Sequence, residues 1–248
     1  MNLTQFWQAN PKAAIAFSGG VDSAYLLYSA VQSGADVKAY YAKTAFQPAF
    51  ELEDAKKLAA QLGAQMEILT LDVLSVPKVV ENPQNRCYYC KTALFSAMTA
   101  AAKKDGFTLI LDGTNASDEA ADRPGMQPLR ELSVRSPLRE CGLTKKEIRR
   151  LSKEAGLFTH DKPAYACLAT RIPTGDTITP AKLSRTEDAE TYLNDLGLRD
   201  FRVRTLGNLA RIQVTESDLE TVLKNREVIL SHLKKLYSGV VLDLEVRP

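Results

Sequence analysis

The first residues that could do chemistry form a short stretch rich in glycine and serine. An apolar run over residues 13–17 leads into Ser18, Gly19, Gly20, Val21, Asp22 and Ser23. Glycines let the backbone curl closely around an anion, and a following helix adds unpaired N–H groups and the positive end of its dipole. The Gly-Lys-Ser/Thr ending of a Walker A loop is absent. We therefore predict a loop that binds phosphate, although a glycine turn that merely caps a helix has the same composition.

A second polar stretch is predicted at the same edge of the sheet. Residues 112–115, Asp-Gly-Thr-Asn, end a predicted strand, and Asp118 and Arg123 follow them. Because open α/β sheets bind ligands at the carboxyl ends of their strands, Asp118 and Arg123 could reach Mg²⁺ or phosphate. The carboxylate of Asp22 would repel phosphate, so we predict that it caps the helix or binds Mg²⁺.

Three cysteines occur in patterns that suit reactive or metal-binding thiols. Cys87 and Cys90 form a C-x-x-C pair flanked by an arginine and a lysine, and Cys167 lies in a later segment without clear periodicity. Neighbouring cations favour the thiolate that metals and electrophiles require. The three could hold three irons of a [4Fe–4S] cluster and leave the fourth open to a ligand such as sulfide. Zinc and a redox pair remain alternatives, since spacing alone does not separate iron from zinc. Cys141 is assigned no role.

Strands that alternate with helices must position these residues. Apolar runs predict strands at residues 13–17, 37–42, 66–71 and 107–111. Helical spacing predicts helices at residues 22–32, 49–62, about 92–104 and 144–156. This alternation predicts an α/β fold, a doubly wound parallel sheet covered by helices on both faces.

A smaller α+β domain is predicted after the sheet. Residues 161–180 are rich in Pro, Gly and Thr, so we place the boundary there, with domains at residues 1–165 and 166–248. The second domain is predicted to contain a helix, a hairpin, a helix and a last strand. In the hairpin, Arg202 and Arg204 alternate with apolar residues and share one strand face. Paired guanidinium groups suit a phosphate or carboxylate ligand, while a solvated sheet face is the plainer alternative.

Composition and the N-terminal sequence argue against several classes of protein. The net charge of +2 over 248 residues provides no electrostatic case for nucleic acid or an anionic membrane. The N-terminus lacks the basic start and apolar run of a signal peptide, and no stretch approaches the ~20 apolar residues that span a bilayer. We expect a cytoplasmic protein with no nucleic-acid or membrane partner, whose cysteines are not disulfide-bonded.

Four segments of the chain resemble one branch of the PP-loop ATP pyrophosphatases, the LarE family. They are residues 18–23, 85–91, 112–115 and 166–173. The resemblance covers nearly the whole chain and implies a sheet of the adenine nucleotide alpha hydrolase-like type, with ATP cleaved between its α and β phosphates. Members of the family are sulfur transferases that act on pyridinium-3,5-biscarboxylic acid mononucleotide. Their product feeds the nickel-pincer nucleotide cofactor of lactate racemase.

The resemblance also implies roles for individual residues. Cys167 and Asp22 would be catalytic, and Arg202 and Arg204 would bind the anionic groups of the substrate. In single-cysteine members the residue matching Cys167 is sacrificed as the sulfur source. The residues implied in ATP binding are Phe17, Ser18, Gly19, Gly20, Asp22, Ser23, Thr114, Asp118 and Arg123.

Members with two further cysteines resemble cluster enzymes instead, and this chain has them. The implied [4Fe–4S] cluster would be held by Cys87, Cys90 and Cys167 and would deliver bound sulfide. The expected cofactors are therefore ATP, Mg²⁺ and the cluster. The expected partners are a small-molecule nucleotide, a sulfide donor and further copies of the chain in a homo-oligomer.

Three other functions remain open from the residues alone. A tRNA thiolase of the PP-loop kind would be expected to show a basic RNA-binding surface or an added RNA module, and neither is visible in the sequence. An ammonia-dependent ligase would need no cysteine cluster. A zinc-stapled regulator would bind ATP without turnover.

Overall fold

A computed structural model describes residues 1–118 and 124–247 of the chain. The described residues form two compact units, each assembled from two stretches of sequence. The first unit comprises Met1–Val73 and Asn85–Ala164, and the second comprises Leu74–Gln84 and Tyr165–Pro248.

Strands and helices alternate in the first half of the chain. The strands are β1 (Lys12–Ala16), β2 (Asp36–Lys43), β3 (Gln65–Thr70), β4 (Ile110–Leu111), β5 (Phe201–Leu206), β6 (Leu209–Val214) and β7 (Gly239–Leu242). The helices are α1 (Leu3–Ala9), α2 (Val21–Gln32), α3 (Ala49–Leu62), α4 (Pro77–Val80), α5 (Arg86–Lys104), α6 (Gln127–Glu131), α7 (Pro137–Glu140), α8 (Lys145–Glu154), α9 (Pro180–Asp195), α10 (Glu216–Lys224) and α11 (Arg226–Leu233). Among the described residues, no helix combines the length and apolar composition that a membrane span requires.

The first unit is built on a parallel sheet. Its described residues form four strands in the order β3-β2-β1-β4. β1 lies inside the sheet because Ala13, Ala14 and Ile15 are small or apolar and fully buried. Ile15 packs with Leu26 of α2 on one face, and Ala14 packs with Phe95 of α5 on the other. Helices on both faces confirm the predicted doubly wound α/β fold.

The helix that carries the C-x-x-C pair is longer than the sequence predicts. It begins at Arg86 rather than near Thr92. Phe95 and Met98 lie one turn apart and are buried against the sheet, which anchors a helix that extends back through the cysteines. The following strand is correspondingly short, because the N–H of Phe107 donates to a carbonyl in the last turn of α5.

The second unit contains a mixed sheet, which confirms the predicted smaller α+β region. β5 and β6 are antiparallel, and β7 runs parallel to β6. The pairing of Leu206 with Leu209 leaves a two-residue turn in which Gly207 has a φ of 57°, a conformation that favours glycine. Val203 and Ile212 pack with the helices around them in a separate core. Two helices, α10 and α11, stand where the sequence predicts one in this part of the described chain.

Residues 74–84 join the second unit through backbone pairing. Asn82 is buried and has a φ of 53°, and its side-chain amide donates to the carbonyl of Pro173 at 2.7 Å. In return, the carbonyl of Asn82 accepts from Gly175 at 2.8 Å, and that of Val80 accepts from Ile178 at 2.9 Å. These bonds satisfy polar groups that the folded segment buries.

Candidate active site

The glycine–serine stretch forms a closed loop between β1 and α2. The N–H of Ser18 donates to Oγ of Ser23 at 3.2 Å, the two serine hydroxyls lie 3.1 Å apart, and Ser23 donates to the carbonyl of Gly20 at 3.2 Å. Gly19 has a φ of +72°, and a Cβ there would lie 3.1 Å from the side chain of Ala55. The loop therefore requires glycine, and its N-cap residue, Gly20, has no side chain to cover the first N–H groups of α2.

The Asp-Gly-Thr-Asn segment lies against this loop, as the sequence predicts. A Cβ on Gly113 would lie 2.8 Å from the backbone nitrogen of Ser23, so only glycine permits the approach. Asp112 accepts from the hydroxyls of Thr114 at 2.5 Å and Ser136 at 2.6 Å, and this fixes the segment. The two loops thus form a cradle of backbone groups at the carboxyl ends of β1 and β4.

Asp22 does not cap α2; it pairs with a lysine that the sequence did not indicate. Nζ of Lys145, the first residue of α8, donates to Oδ2 of Asp22 at 2.6 Å. Oδ1 of Asp22 is buried and accepts no hydrogen bond from any described residue. Burial raises the pKa of Asp22, and the hydrogen bond from Lys145 opposes that rise. A buried carboxylate oxygen without a hydrogen-bond partner, beside a cradle of backbone groups, is a donor that fits a Mg²⁺ ion arriving with a nucleotide.

The other residues that the sequence predicts to bind the nucleotide lie in different environments. Oδ2 of Asp118 accepts from the N–H of Asn115 at 3.0 Å, and its carbonyl accepts from Arg139, so Asp118 stabilises the second loop. The side chain of Phe17 is buried in the core, which leaves its backbone at the loop. Arg123 lies outside the described residues.

Cys87 and Cys90 occupy the first turn of α5. They are three positions apart in the sequence, so they lie on one helix face; Cys87 is exposed and Cys90 is partly exposed. Arg86 donates to Sγ of Cys87 at 3.7 Å and is itself buried, with its guanidinium carbon 5.6 Å from the ring centre of Phe46. None of the four cysteines, all of which are described, forms a disulfide. Across the described chain, no group of three or more Cys, His, Asp or Glu side chains is assembled as a metal site.

Cys167 lies in a loop of the second unit that a buried ion pair holds in place. Its carbonyl accepts from the N–H of Thr170 at 2.9 Å and from the hydroxyl of that residue at 2.8 Å. Arg171 donates to the carbonyl of Ala166 at 3.0 Å. Arg171 also makes two bonds to Glu190, at 2.8 and 3.1 Å, with the side chains 0% and 5% exposed.

Glu190 connects this loop to the strand that carries the arginine pair. Oε1 of Glu190 accepts from the N–H of Val203 at 2.8 Å, and Oε2 accepts from the hydroxyl of Tyr165. Arg171 and Glu190 are site residues that sequence reasoning missed, because nothing local indicates which carboxylate will meet a given arginine. The pair fixes the Cys167 loop and β5 as one rigid element.

The two predicted arginines of β5 differ in their surroundings. Arg202 is 4% exposed, donates to the carbonyl of Phe201 at 2.5 Å and lies 3.5 Å from Asp200. Burial, together with the charges of neighbouring arginines, lowers its pKa to about 10. Arg204 is half-buried and donates to Gln213 at 2.5 Å and to the carbonyl of Thr170 at 2.7 Å. The alternative that Arg202 and Arg204 lie on a simple solvent-exposed sheet face therefore does not hold for this strand.

Comparisons with known proteins agree with this arrangement. The family described as Queuosine biosynthesis protein QueC matches residues 12–80. Pyridinium-3,5-bisthiocarboxylic acid mononucleotide synthase of Lactiplantibacillus plantarum is 34% identical over 236 residues, which cover 94% of this chain and 86% of the relative. An uncharacterized protein of Synechocystis sp. is 38% identical over 255 residues, with 98% and 92% covered. The tRNA-specific 2-thiouridylase MnmA of Thermotoga petrophila is 26% identical over 193 residues, with 61% and 54% covered.

The similarity to the L. plantarum synthase extends over both units, whereas the 2-thiouridylase matches a smaller share of each chain. A match that covers 94% of this chain includes both the cradle of the first unit and the Cys167 loop of the second. The chain therefore belongs to the pyridinium-3,5-bisthiocarboxylic acid mononucleotide synthase family, the LarE branch of the PP-loop proteins, and is an ATP-dependent sulfurtransferase.

Proposed function

We propose that the protein converts a carboxylate of pyridinium-3,5-biscarboxylic acid mononucleotide into a thiocarboxylate, a step in nickel-pincer nucleotide synthesis. The observation that carries the proposal is the backbone cradle of residues 18–23 and 112–115, with the orphaned oxygen of Asp22 beside it. The choice of substrate is supported by the name of the L. plantarum relative, which states the bisthiocarboxylic acid product of that enzyme.

The first step is adenylation. A substrate carboxylate oxygen attacks the α-phosphorus of ATP, and the bond from that phosphorus to the oxygen bridging to the β-phosphate breaks. The products are an acyl adenylate and pyrophosphate. The cradle N–H groups, with the hydroxyls of Ser18 and Ser23, would donate to the pyrophosphate, with Phe17 contributing backbone and Thr114 and Asp118 shaping the second loop. Mg²⁺ held by Asp22 would neutralise phosphate charge.

The second step is sulfur transfer. Sulfide attacks the acyl carbon, the bond from that carbon to the AMP oxygen breaks, and AMP leaves with the electron pair. Adenylation is needed because a free carboxylate is a poor electrophile. A sulfide nucleophile requires no dedicated base at neutral pH, which suits a chain with two histidines.

Sulfur delivery is proposed to depend on Cys87, Cys90 and Cys167 as ligands of a [4Fe–4S] cluster, whose fourth iron would carry sulfide. Two accessible thiols one helical turn apart are donors of the kind that such clusters use. Arg86 donates a hydrogen bond to the sulfur of Cys87, which places a buried cation beside that side chain. Arg202 and Arg204 are proposed to bind the anionic groups of the substrate.

The test is a reaction of purified protein with ATP, Mg²⁺, sulfide and the pyridinium mononucleotide. We expect pyrophosphate release and a sulfur-containing product detected by mass spectrometry. Cys167→Ala should keep pyrophosphate release and lose the thiocarboxylate, while Cys141→Ala should keep both. Pyrophosphate release that requires tRNA instead would assign the chain to the thiouridylase activity of its more distant relatives. Amide formation from ammonia would identify a ligase.

A further inference from the structure

One lysine is anchored beside both loops of the cradle. Lys145 begins α8, and its N–H donates at 3.0 Å to the hydroxyl of Ser117, which follows the second loop. The carbonyl of Leu143 accepts from the N–H of Ala116 at 2.8 Å, which fastens the start of α8 to the same stretch. The side chain of Lys145 reaches the first loop, where Nζ donates to Oδ2 of Asp22 at 2.6 Å. The backbone contacts therefore keep this lysine at the cradle even when the ion pair opens.

The ammonium group of Lys145 has N–H donors that the protein does not use. An ammonium carries three N–H groups, and within the described part of the chain Nζ has a single hydrogen-bond acceptor, Oδ2 of Asp22. The side chain of Lys145 is 34% exposed, so the other N–H groups are accessible to water or to a ligand. A ligand in the cradle can therefore bind the ammonium without competing for a donor that the fold requires.

The second cation near Asp22 is held by other contacts. The charge of Arg149, one turn after Lys145 on α8, also acts on Asp22. The guanidinium of Arg149 donates to the carbonyls of His160 at 2.7 Å and Lys162 at 2.9 Å, and these bonds fix the chain that follows α8. Of the two cations, Lys145 is the one that can contact a ligand without giving up hydrogen bonds to the backbone.

The proposed adenylation places new negative charge beside the cradle. As the bond from the α-phosphorus to the bridging oxygen breaks, its electron pair passes to that oxygen, which leaves with the pyrophosphate. A cation that is already in place stabilises such charge in the transition state more than it stabilises the bound substrate. A lysine ammonium is a compact point charge on a flexible stem, and phosphate is a common ligand of such groups.

We infer that Lys145 is a catalytic residue whose ammonium donates to the pyrophosphate part of ATP. In the free protein the ammonium neutralises Asp22. With the nucleotide bound, its remaining N–H groups contact phosphate oxygens and neutralise the charge that the departing pyrophosphate gains. The role in catalysis rests on the proposed cleavage between the α and β phosphates; the contact with phosphate does not.

Binding of pyrophosphate in the absence of metal tests the contact directly. In calorimetric titrations with EDTA present, Lys145→Gln should bind pyrophosphate about tenfold or more weakly than wild type. Asp22→Asn should bind it at least as tightly as wild type, because the change removes a negative charge and releases the ammonium. Lys146→Gln is the matched control, since Lys146 is the next residue of α8 and is exposed; its affinity should not change.

The two variants at the ion pair separate a direct contact from an indirect one. Lys145→Gln and Asp22→Asn break the same pair, so a lysine that merely orients Asp22 or supports the fold would give both variants the same loss. That result would overturn the inference. A wild-type protein that binds no metal-free pyrophosphate, or a Lys145→Gln protein that binds it as wild type does, would overturn it as well.

Rates of pyrophosphate release test the role in catalysis. At saturating ATP and Mg²⁺, on the pH plateau of each protein, Lys145→Gln should lower kcat about a hundredfold, and Lys145→Arg should recover part of that loss. A Lys145→Gln enzyme whose kcat returns to the wild-type value as Mg²⁺ is raised would assign the lysine to Asp22 alone and contradict the catalytic role. If the wild type releases no pyrophosphate with the pyridinium mononucleotide, the proposed function fails, while the calorimetric titration still decides the contact.

Discussion

Replacing Glu190 with Gln removes the charge that neutralises the buried Arg171 guanidinium and should show how the Cys167 loop is held. The two carboxylate oxygens accept four bonds, from Arg171 twice, from the N–H of Val203 and from the hydroxyl of Tyr165. A glutamine amide has one oxygen and one NH₂ group. In either orientation, two of these four donors would therefore face the NH₂ group, which cannot accept a hydrogen bond. Removing one partner of a buried ion pair costs about 3–5 kcal/mol. We expect a loss near that size in the free energy of unfolding of the second unit.

Urea unfolding followed by circular dichroism measures this loss, with Asp188→Asn as the control because Asp188 lies exposed on the same helix. Below the unfolding transition, Glu190→Gln should still release pyrophosphate and should form the thiocarboxylate more slowly, since Arg171 no longer holds the carbonyl of Ala166 firmly. A midpoint and slope equal to those of wild type would refute the reasoning, because the ion pair would then contribute nothing to the fold.

Three further outcomes are expected. Gly113→Ala should raise the ATP KM, because its Cβ would meet the backbone of Ser23 at 2.8 Å. Gly34→Ala is the control, because a Cβ there would meet open space. It should lower stability by about 1 kcal/mol and leave the ATP KM unchanged. Adenylation needs ionised Asp22, and burial raises its pKa above the ordinary 3.8, so activity should fall with acid through a pKa above that value. Lys145→Met should move this acid limb to still higher pH, since Lys145 lowers the pKa; a limb that stays in place would argue against the pairing. Protein prepared without oxygen should contain iron and show cluster absorption that Cys87→Ala abolishes, and zinc without iron would contradict the cluster.

Local sequence patterns accounted for much of the first unit. The apolar run before Ser18 predicts β1, and glycines at positions 19 and 113 predict tight loops at the same sheet edge, as the structure shows. The start of α5 was predicted six residues late, because the cysteine and tyrosine residues from Arg86 to Thr92 do not show helical periodicity. Burial of Phe95 and Met98 against the sheet extends that helix.

Local sequence spacing predicts the glycine–serine loop that follows β1, the alternation that builds the parallel sheet and the strand face shared by Arg202 and Arg204. These features depend on neighbours within a few positions, so local spacing is enough to predict them. The partners of the charged side chains become visible in the folded chain alone: Lys145 pairs with Asp22 across 123 positions, Glu190 holds Arg171, and Arg211 stands opposite Arg204. The fold decides which charged side chains pair, because the energy of an ion pair depends on the distance between the charges and on their burial, and not on their separation along the chain.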